Sequence, residues 1–202
     1  MKYLVYTFLI STSLVLASCS GTSTNEEKSN TNEHQMEEHQ HEVTADVPTK
    51  KKSASPKKEA MAMVGSNHIH IEYSSPSVRG RVIWGGLVAY DKVWSTGAHK
   101  ATSINFPEGV VINDTDVPAG KYGFFTIPGE KVWTVILNKN WDMHLADDYQ
   151  ETEDVLRFEV TPQKIDTIQE ALEYKVESLS DNTGRISVSW EYLKISFEVI
   201  NK

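Results

Sequence analysis

The residue pattern with the most evident chemistry is His68-Ile69-His70-Ile71-Glu72-Tyr73, where two histidines alternate with apolar residues. Alternate side chains of a β-strand share one face and lie roughly 6.5–7 Å apart along the backbone. We therefore expect His68 and His70 to project together, with Glu72 continuing the row and the apolar residues facing the core. Two imidazoles so placed can lean towards one metal ion. The alternative is the polar face of an edge strand that uses histidine by chance.

Two further histidines lie in the same part of the chain. His99 stands at the entrance to a predicted strand, and His144 lies in a loop that contains several aspartates. Either one alone is explained by an ordinary hydrogen-bonded imidazole. Because the chain has four histidines after residue 41, we predict that they share one metal site. Nitrogen donors of this kind suit copper, with zinc as the other candidate ion. The predicted ligands are His68, His70, His99 and His144.

A second set of candidate ligands lies in a polar segment nearer the N-terminus. Residues 33–42 contain three histidines, one methionine and several carboxylates. Imidazole and thioether together suit copper better than calcium or magnesium. This composition favours a flexible metal-capture segment, whereas the alternative is a solvated tether. The auxiliary ligands would be His34, Met36, His39 and His41.

The N-terminus is typical of a bacterial lipoprotein signal peptide. A positive Met1-Lys2 precedes an apolar run over residues 4–16, which is too short to span a bilayer comfortably. The run ends in Leu16-Ala17-Ser18-Cys19, which resembles the lipobox of lipoprotein signal peptidase. We predict removal of residues 1–18 and acylation of Cys19, the only cysteine. An ordinary signal peptide with an incidental cysteine is the alternative.

Acylation of Cys19 has two consequences. Covalent acyl chains contribute about 0.8 kcal/mol per buried CH₂, so the protein would be anchored to the membrane in the cell envelope, at the periplasmic or outer-membrane face. The mature chain would also lack a free thiol, which excludes thiolate metal ligands, cysteine nucleophiles and disulfides. The formal net charge is −8, and no basic stripe indicates a nucleic-acid partner.

Composition divides the rest of the chain into two segments. Residues 19–63 contain few aromatic or β-branched residues and are predicted to be a disordered linker. Residues 64–202 alternate short β-branched and aromatic runs with turn signals, which predicts one all-β domain, a jelly-roll-like antiparallel β-sandwich. The predicted strands are residues 68–73, 81–84, 101–106, 121–127, 132–137, 154–160 and 174–179, followed by alternating residues from 186 to 199.

Three local signals refine this prediction. Pro128-Gly129-Glu130 predicts a hairpin turn between two strands. Residues 162–172 contain the one plausible helical turn. The apolar residues change parity near Glu191-Tyr192, which predicts a turn or bulge within the last strand region.

The domain also resembles a known bacterial family. The resemblance runs from about His68 to the C-terminus and to the family called domain of unknown function 2911, which implies an exported β-sandwich-like domain. The pair His99-Lys100 departs from the asparagine and acidic residue of many relatives. This indicates a histidine-bearing subgroup, similar to proteins encountered with copper and heavy-metal handling. The blocks that carry the resemblance are Tyr73-Ser74-Ser75-Pro76-Ser77-Val78-Arg79-Gly80-Arg81, Ile83-Trp84-Gly85-Gly86-Leu87-Val88, residues 94–102, Pro118-Ala119-Gly120-Lys121-Tyr122, Phe125-Thr126-Ile127-Pro128-Gly129 and Asp154-Val155-Leu156-Arg157.

Three functions are compatible with these residues. The first is a lipid-anchored protein that sequesters or delivers a transition metal, chiefly copper. The second is a binding or scaffold module for a non-metal envelope component, with incidental histidines. The third is a metalloenzyme, although the chain has no nucleophile elbow, phosphate loop or His-Glu-x-x-His motif. A protein partner is not indicated by the sequence.

Overall fold

The computed structural model describes residues 54–202, which form almost entirely antiparallel β-structure. The predicted signal peptide, Cys19 and the 33–42 segment with His34, Met36, His39 and His41 lie outside the described residues. The strands are β1 (Lys57–Val64), β2 (Asn67–Ser74), β3 (Thr102–Phe106), β4 (Val110–Ile112), β5 (Thr115–Val117), β6 (Gly120–Ile127), β7 (Trp133–Asn138), β8 (Asp154–Val160), β9 (Gln163–Ser178) and β10 (Thr183–Asn201), and a 3₁₀ turn spans Glu151–Glu153.

Two sheets enclose one main hydrophobic core, which confirms the predicted all-β sandwich. One sheet has the order β1-β2-β3-β6-β7-β8 and the other the order β5-β4-β10-β9. Side chains from both sheets meet in the core, where the rings of Phe124 (β6) and Phe197 (β10) stack 6.1 Å apart. Tyr73 (β2) and Tyr174 (β9) form a second contact across the sandwich, with ring centroids 4.7 Å apart.

The alternation of β2 produces its two different faces. Ile69 and Ile71 are fully buried and Tyr73 is 6% exposed, so these side chains contribute to the core. Burying an aliphatic side chain of this size stabilises the fold by roughly 1.5–3 kcal/mol relative to leaving it exposed. The intervening histidines therefore lie on the outer face, and their positions are fixed by the buried residues between them.

The domain begins earlier than the sequence analysis predicts. The composition of residues 57–63 predicts a disordered linker, but the structure places them in β1, which pairs with β2 along its whole length from Lys57↔Ser74 to Val64↔Asn67. Gly65 and Ser66 connect the two strands, and Gly65 has φ +57°. The predicted domain start at Val64 is therefore corrected to include β1. Its inward residues Ala60 and Ala62 are small, which explains why its composition resembles a linker.

Other local predictions have mixed outcomes. The Pro128-Gly129 hairpin is confirmed as the connection between β6 and β7. The parity change is confirmed by two register shifts around Glu191, whose φ is +54°. The helical turn at residues 162–172 is wrong, because residues 163–172 lie in strand β9, which pairs with β10. The strand predicted at residues 81–84 is also wrong, since it forms turns closed by an isolated Trp84–Val88 bridge.

The outer surface of the larger sheet is only partly covered. Phe125 and Ile136 face outward from β6 and β7 and form a second small core with Ala101 and Met143, the last of these from the loop after β7. This loop covers one end of the outer face, whereas the β1–β2 hairpin at the other end stays exposed. Within residues 54–202, no helix has the length and apolarity needed to cross a bilayer.

Candidate functional site

The two histidines of β2 lie side by side on the outer face, as the alternation predicts. Their ring centroids are 6.1 Å apart and their planes differ by 15°. An imidazole nitrogen lies about 1.1 Å from the ring centre and binds a metal at about 2.0 Å, so two rings on one ion have centres up to about 6 Å apart. His68 and His70 therefore need little more than side-chain rotation to reach a common ion.

Two methionines of β1 lie opposite these histidines. The register pairs Met61 with His70 and Met63 with His68. Residues directly opposite in an antiparallel pair project from the same face, with Cβ atoms about 4.5–5.5 Å apart. Met61 and Met63 are 47% and 52% exposed, so neither thioether is used in the core. We refer to Met61, Met63, His68 and His70 as the His–Met face.

The turn end of this hairpin is held firmly against the rest of the domain. The side-chain amide of Asn67 donates to the backbone carbonyl of Glu108 at 3.2 Å and to Oδ1 of Asn201 at 3.3 Å. Asn201 in turn donates to the carbonyl of Val64. These bonds connect the hairpin to β10 and to the loop before β4. The four side chains therefore project from a fixed backbone, which favours a preorganised binding site.

Two glutamates continue the hairpin beyond the His–Met face. Glu59 on β1 lies opposite Glu72 on β2. Oε2 of Glu59 is 3.3 Å from Nε2 of His70, and that nitrogen is buried without a hydrogen-bond partner in the described chain. The two atoms are therefore close but not aligned as donor and acceptor.

Glu72 has different neighbours from Glu59. It accepts a hydrogen bond from Lys121 of β6 and another, at 3.4 Å, from Ser103 of β3. The hydrogen bond from Lys121 holds the pKa of Glu72 below its ordinary value, and the lysine and His70 charges act in the same direction. Glu72 is therefore held as a carboxylate paired with Lys121.

His99 and His144 lie in two neighbouring loops. The amide of Leu145 donates to the His99 carbonyl at 2.6 Å, and Lys100 and His144 form an isolated bridge. Both imidazoles are exposed, and Nδ1 of His144 lies 2.8 Å from Oδ2 of Asp147. The long-range pairing of the two loops could not be read from local patterns.

The four predicted ligands therefore lie in two separate pairs. His68 is beside His70, and the loop of His99 is beside that of His144. Among residues 54–202, no three side chains of His, Cys, Asp and Glu form a group able to hold one ion. Metal binding by these histidines stays a prediction, and methionine sulfur is the donor type that could complete a site around His68 and His70.

A cleft of about 230 Å³ adjoins the glutamate end of the hairpin. Glu59, Glu72 and Ser103 contribute to its lining, together with Trp141 and Lys121. The ammonium group of Lys121 lies 4.3 Å from the centre of the Trp141 ring, which is within the range of a cation–π contact. The lining therefore combines charged side chains with the aromatic ring of Trp141.

The lining of the cleft includes a further ion pair. Nζ of Lys100 is 2.6 Å from Oδ1 of Asp142, and this hydrogen bond lowers the pKa of Asp142. Lys100 follows His99, and Asp142 lies in the loop of His144. This ion pair therefore connects the two loops that carry His99 and His144.

Comparison with known proteins places these features in a family. A family model described as "Protein of unknown function (DUF2911)" matches residues 55–199. The chain belongs to this family. The DUF2911 match includes β1, so the whole His–Met face lies within the family domain. No curated protein and no solved structure gives a significant match to the chain.

The sequence analysis missed the two methionines of this face. Met61-Ala62-Met63 alternates like a strand and is followed by Val64-Gly65-Ser66-Asn67, which has the composition of a short hairpin turn. Counting back from His68 across a two-residue loop would have paired the methionines with the histidines. Lysines precede the methionines and give this segment the composition of a solvated linker, so the strand pattern is not evident from composition.

Proposed function

We propose that this protein is an envelope lipoprotein that binds copper at the His–Met face, for sequestration or delivery. The observation that supports this best is the register that sets Met61 opposite His70 and Met63 opposite His68. Thioethers select copper, particularly Cu(I), among the biological transition metals, and imidazole serves copper or zinc. Copper is therefore the preferred ion, with zinc as the alternative.

The exposure of the methionines supports binding over a packing role. Methionine normally fills gaps in a core, where its flexible thioether adapts to its neighbours. Here Met61 and Met63 are about half exposed on an edge hairpin, so their burial adds little to stability. Single exposed apolar residues are common on protein surfaces. Two thioethers opposite two imidazoles form a more specific arrangement.

The N-terminal segment fits the same function. In this proposal Cys19 carries the lipid, and His34, Met36, His39 and His41 capture the ion and pass it to the folded domain. Fifteen residues separate His41 from β1. A flexible chain of that length has a root-mean-square span of roughly 20 Å, which is sufficient for such a transfer over a small domain. The chain would then belong to a histidine-bearing subgroup of its family.

The cleft supports a second candidate function, recognition of a non-metal envelope component. Trp141 offers an aromatic surface and Lys121 a cationic group, a combination that suits a small anionic or sugar ligand. Under this alternative the histidines are incidental, and removing them would leave ligand binding unchanged.

Metal content of the full-length lipidated protein in detergent separates the two functions. The reference protein carries His34, His39 and His41 replaced by Ala and Met36 by Leu, so that only the folded domain binds tightly. After copper or zinc loading and dialysis, we expect about one copper per chain by mass spectrometry. His68→Ala with His70→Ala should lose this copper, whereas the matched His99→Ala with His144→Ala should retain it. Absence of retained copper in the reference protein, or equal loss in both double variants, would overturn the proposal.

A further inference from the structure

We infer that the hairpin holds the two oxidation states of copper with different ligands: Cu(I) on the Met–His pairs, and Cu(II) on His70 with Glu59. This inference rests on the proposed function and deepens it by naming the ligands of each state. Glu59 is not part of the His–Met face. In this inference it binds Cu(II) only, so it favours the oxidised state of copper.

The donor atoms change in character along the hairpin. At the turn end, Met63 lies opposite His68, and the next pair is Met61 with His70. The pair after that is Glu59 with Glu72. Soft thioethers thus occupy one end, hard carboxylates the other, and His70 lies between the two kinds of donor. Cu(I) prefers thioether and imidazole ligands, whereas Cu(II) accepts imidazole and carboxylate oxygen.

The two glutamates are not equivalent as ligands. Glu72 accepts hydrogen bonds from Lys121 and Ser103, so a metal at this carboxylate would compete with a fixed cation. Within residues 54–202, the one side-chain contact of ion-pair length that Glu59 makes is to His70. The side chain of Glu59 is 56% exposed, and its carboxylate can bind an ion without breaking an ion pair with a lysine or arginine. Glu59 is therefore the carboxylate ligand.

The separation between Glu59 and His70 matches that of two ligands on one ion. Oε2 of Glu59 is 3.3 Å from Nε2 of His70. Two ligand atoms bound at about 2.0 Å are about 2.8 Å apart at a right angle and about 3.3 Å apart at a tetrahedral angle. Nε2 of His70 is also buried and without a hydrogen-bond partner in the described chain. An ion between these atoms would satisfy a nitrogen that is otherwise unpaired.

The reduction potential of bound copper reports which ligands serve which state. Loss of a ligand used only by Cu(I) lowers the potential, because the reduced form is destabilised. Loss of a ligand used only by Cu(II) raises it. For this one-electron couple, each tenfold change in the ratio of the two affinities shifts the potential by about 59 mV.

The test measures both affinities and the potential in the full-length protein with the tether substitutions given above. Cu(I) affinity is measured by competition with a chromogenic Cu(I) chelator without oxygen, and Cu(II) affinity by competition with a Cu(II) chelator. We expect Met61→Leu with Met63→Leu to weaken Cu(I) binding about tenfold and lower the potential by about 59 mV. Glu59→Gln should weaken Cu(II) binding about tenfold and raise the potential by a similar amount. Glu72→Gln is the matched control. It should change neither the Cu(I) affinity nor the Cu(II) affinity by more than about threefold.

Failure of the ligand assignment and failure of the proposed function give different results. If the reference protein binds copper but both variants change the two affinities equally, or Glu72→Gln acts like Glu59→Gln, the division of ligands is wrong and the proposed function stands. If the reference protein binds neither ion, the proposed function itself fails. Circular dichroism of each metal-free variant confirms that the substitutions leave the sheet intact.

Discussion

Met61 and His70 lie directly opposite each other on β1 and β2, and both face away from the hydrophobic core. Nearer the turn of the hairpin, Met63 and His68 repeat the arrangement. The four donors of the His–Met face come from residues 61–70, so they depend on one hairpin register. That register is in turn fixed by the burial of Ile69 and Ile71, which would become exposed if the strand slipped by one residue.

Copper should stabilise the folded protein through the two methionines. A ligand at 100 times its dissociation constant stabilises the native state by about 2.7 kcal/mol. In the tether-substituted protein, we expect Cu(I) at that excess to raise the free energy of unfolding by about this amount. Met61→Leu with Met63→Leu should change the metal-free stability by less than about 0.5 kcal/mol, because both side chains are exposed. Anaerobic urea denaturation measures both effects, and an undiminished copper effect in the variant would exclude the thioethers as ligands.

The hairpin turn should be sensitive to a side chain at Gly65. Gly65 has φ +57°, and a Cβ there would collide with the carbonyl oxygen of Asp181. Gly80 has φ +66° and open space where a Cβ would stand, which makes it a matched control. We expect Gly80→Ala to cost about 1–2 kcal/mol from backbone conformation alone, and Gly65→Ala to cost clearly more. Urea denaturation measures stability, and Cu(I) competition should show weaker binding only for Gly65→Ala. Equal costs would show that the turn can move away from Asp181.

The ion pair of Glu72 with Lys121 should contribute modestly to stability, and only where Glu72 is ionised. Because folding lowers the pKa of Glu72, the contribution is present above the ordinary glutamate pKa and is lost as the pH falls through the lowered value. The pair is partly exposed, so Glu72→Gln should cost less than about 1 kcal/mol near pH 7. The difference from the unsubstituted protein should vanish in acid. Glu159→Gln, at an exposed position of β8, is the matched control for removal of a surface carboxylate. A cost that persists in acid would show that the effect is not ionic.

Replacement of Cys19 should remove the lipid and block maturation of the protein. In the proposed function Cys19 is the acylation site, and more than one acyl chain is needed for stable anchoring. We expect Cys19→Ala to abolish incorporation of labelled fatty acid and to prevent processing at residue 18. Fatty-acid labelling and the gel mobility of the unprocessed chain check the outcome. Labelled fatty acid that persists in the variant would point to a different modification site.

The local periodicity of the sequence predicts the faces of β2 well. Ile69 and Ile71 are large and fully buried, so the alternation with polar residues is unambiguous. The parity change in β10 is predictable for the same reason, since large apolar residues mark both sides of the irregularity at Glu191. Where buried residues are large, the two faces of a strand can be identified without a structure.

Two strands, β1 and β9, cannot be predicted from local periodicity. The inward side chains of β1 include Ala60 and Ala62, which supply too little apolar surface to distinguish a strand from a linker. In β9, the spacing of Ile165, Ile168 and Leu172 is compatible with a helical turn, but pairing with β10 determines the conformation. Long-range pairing overrides weak local preference in both cases.

The candidate site is predictable only in part. His68 and His70 follow from alternation within one strand, whereas the opposite methionines require the register of a strand whose composition resembles a linker. The proximity of the His99 and His144 loops arises from backbone bonds between distant segments, such as Ala101 to Met143. No local pattern reports such contacts.

X-ray absorption at the copper edge tests the central claim most directly. The sample is the tether-substituted, full-length protein loaded with one equivalent of Cu(I) without oxygen. Coordination by the His–Met face predicts both sulfur and imidazole nitrogen around copper, with the sulfur contribution lost in Met61→Leu with Met63→Leu. A spectrum with only nitrogen and oxygen neighbours, or sulfur that persists in the double variant, would contradict the assignment of copper to this hairpin.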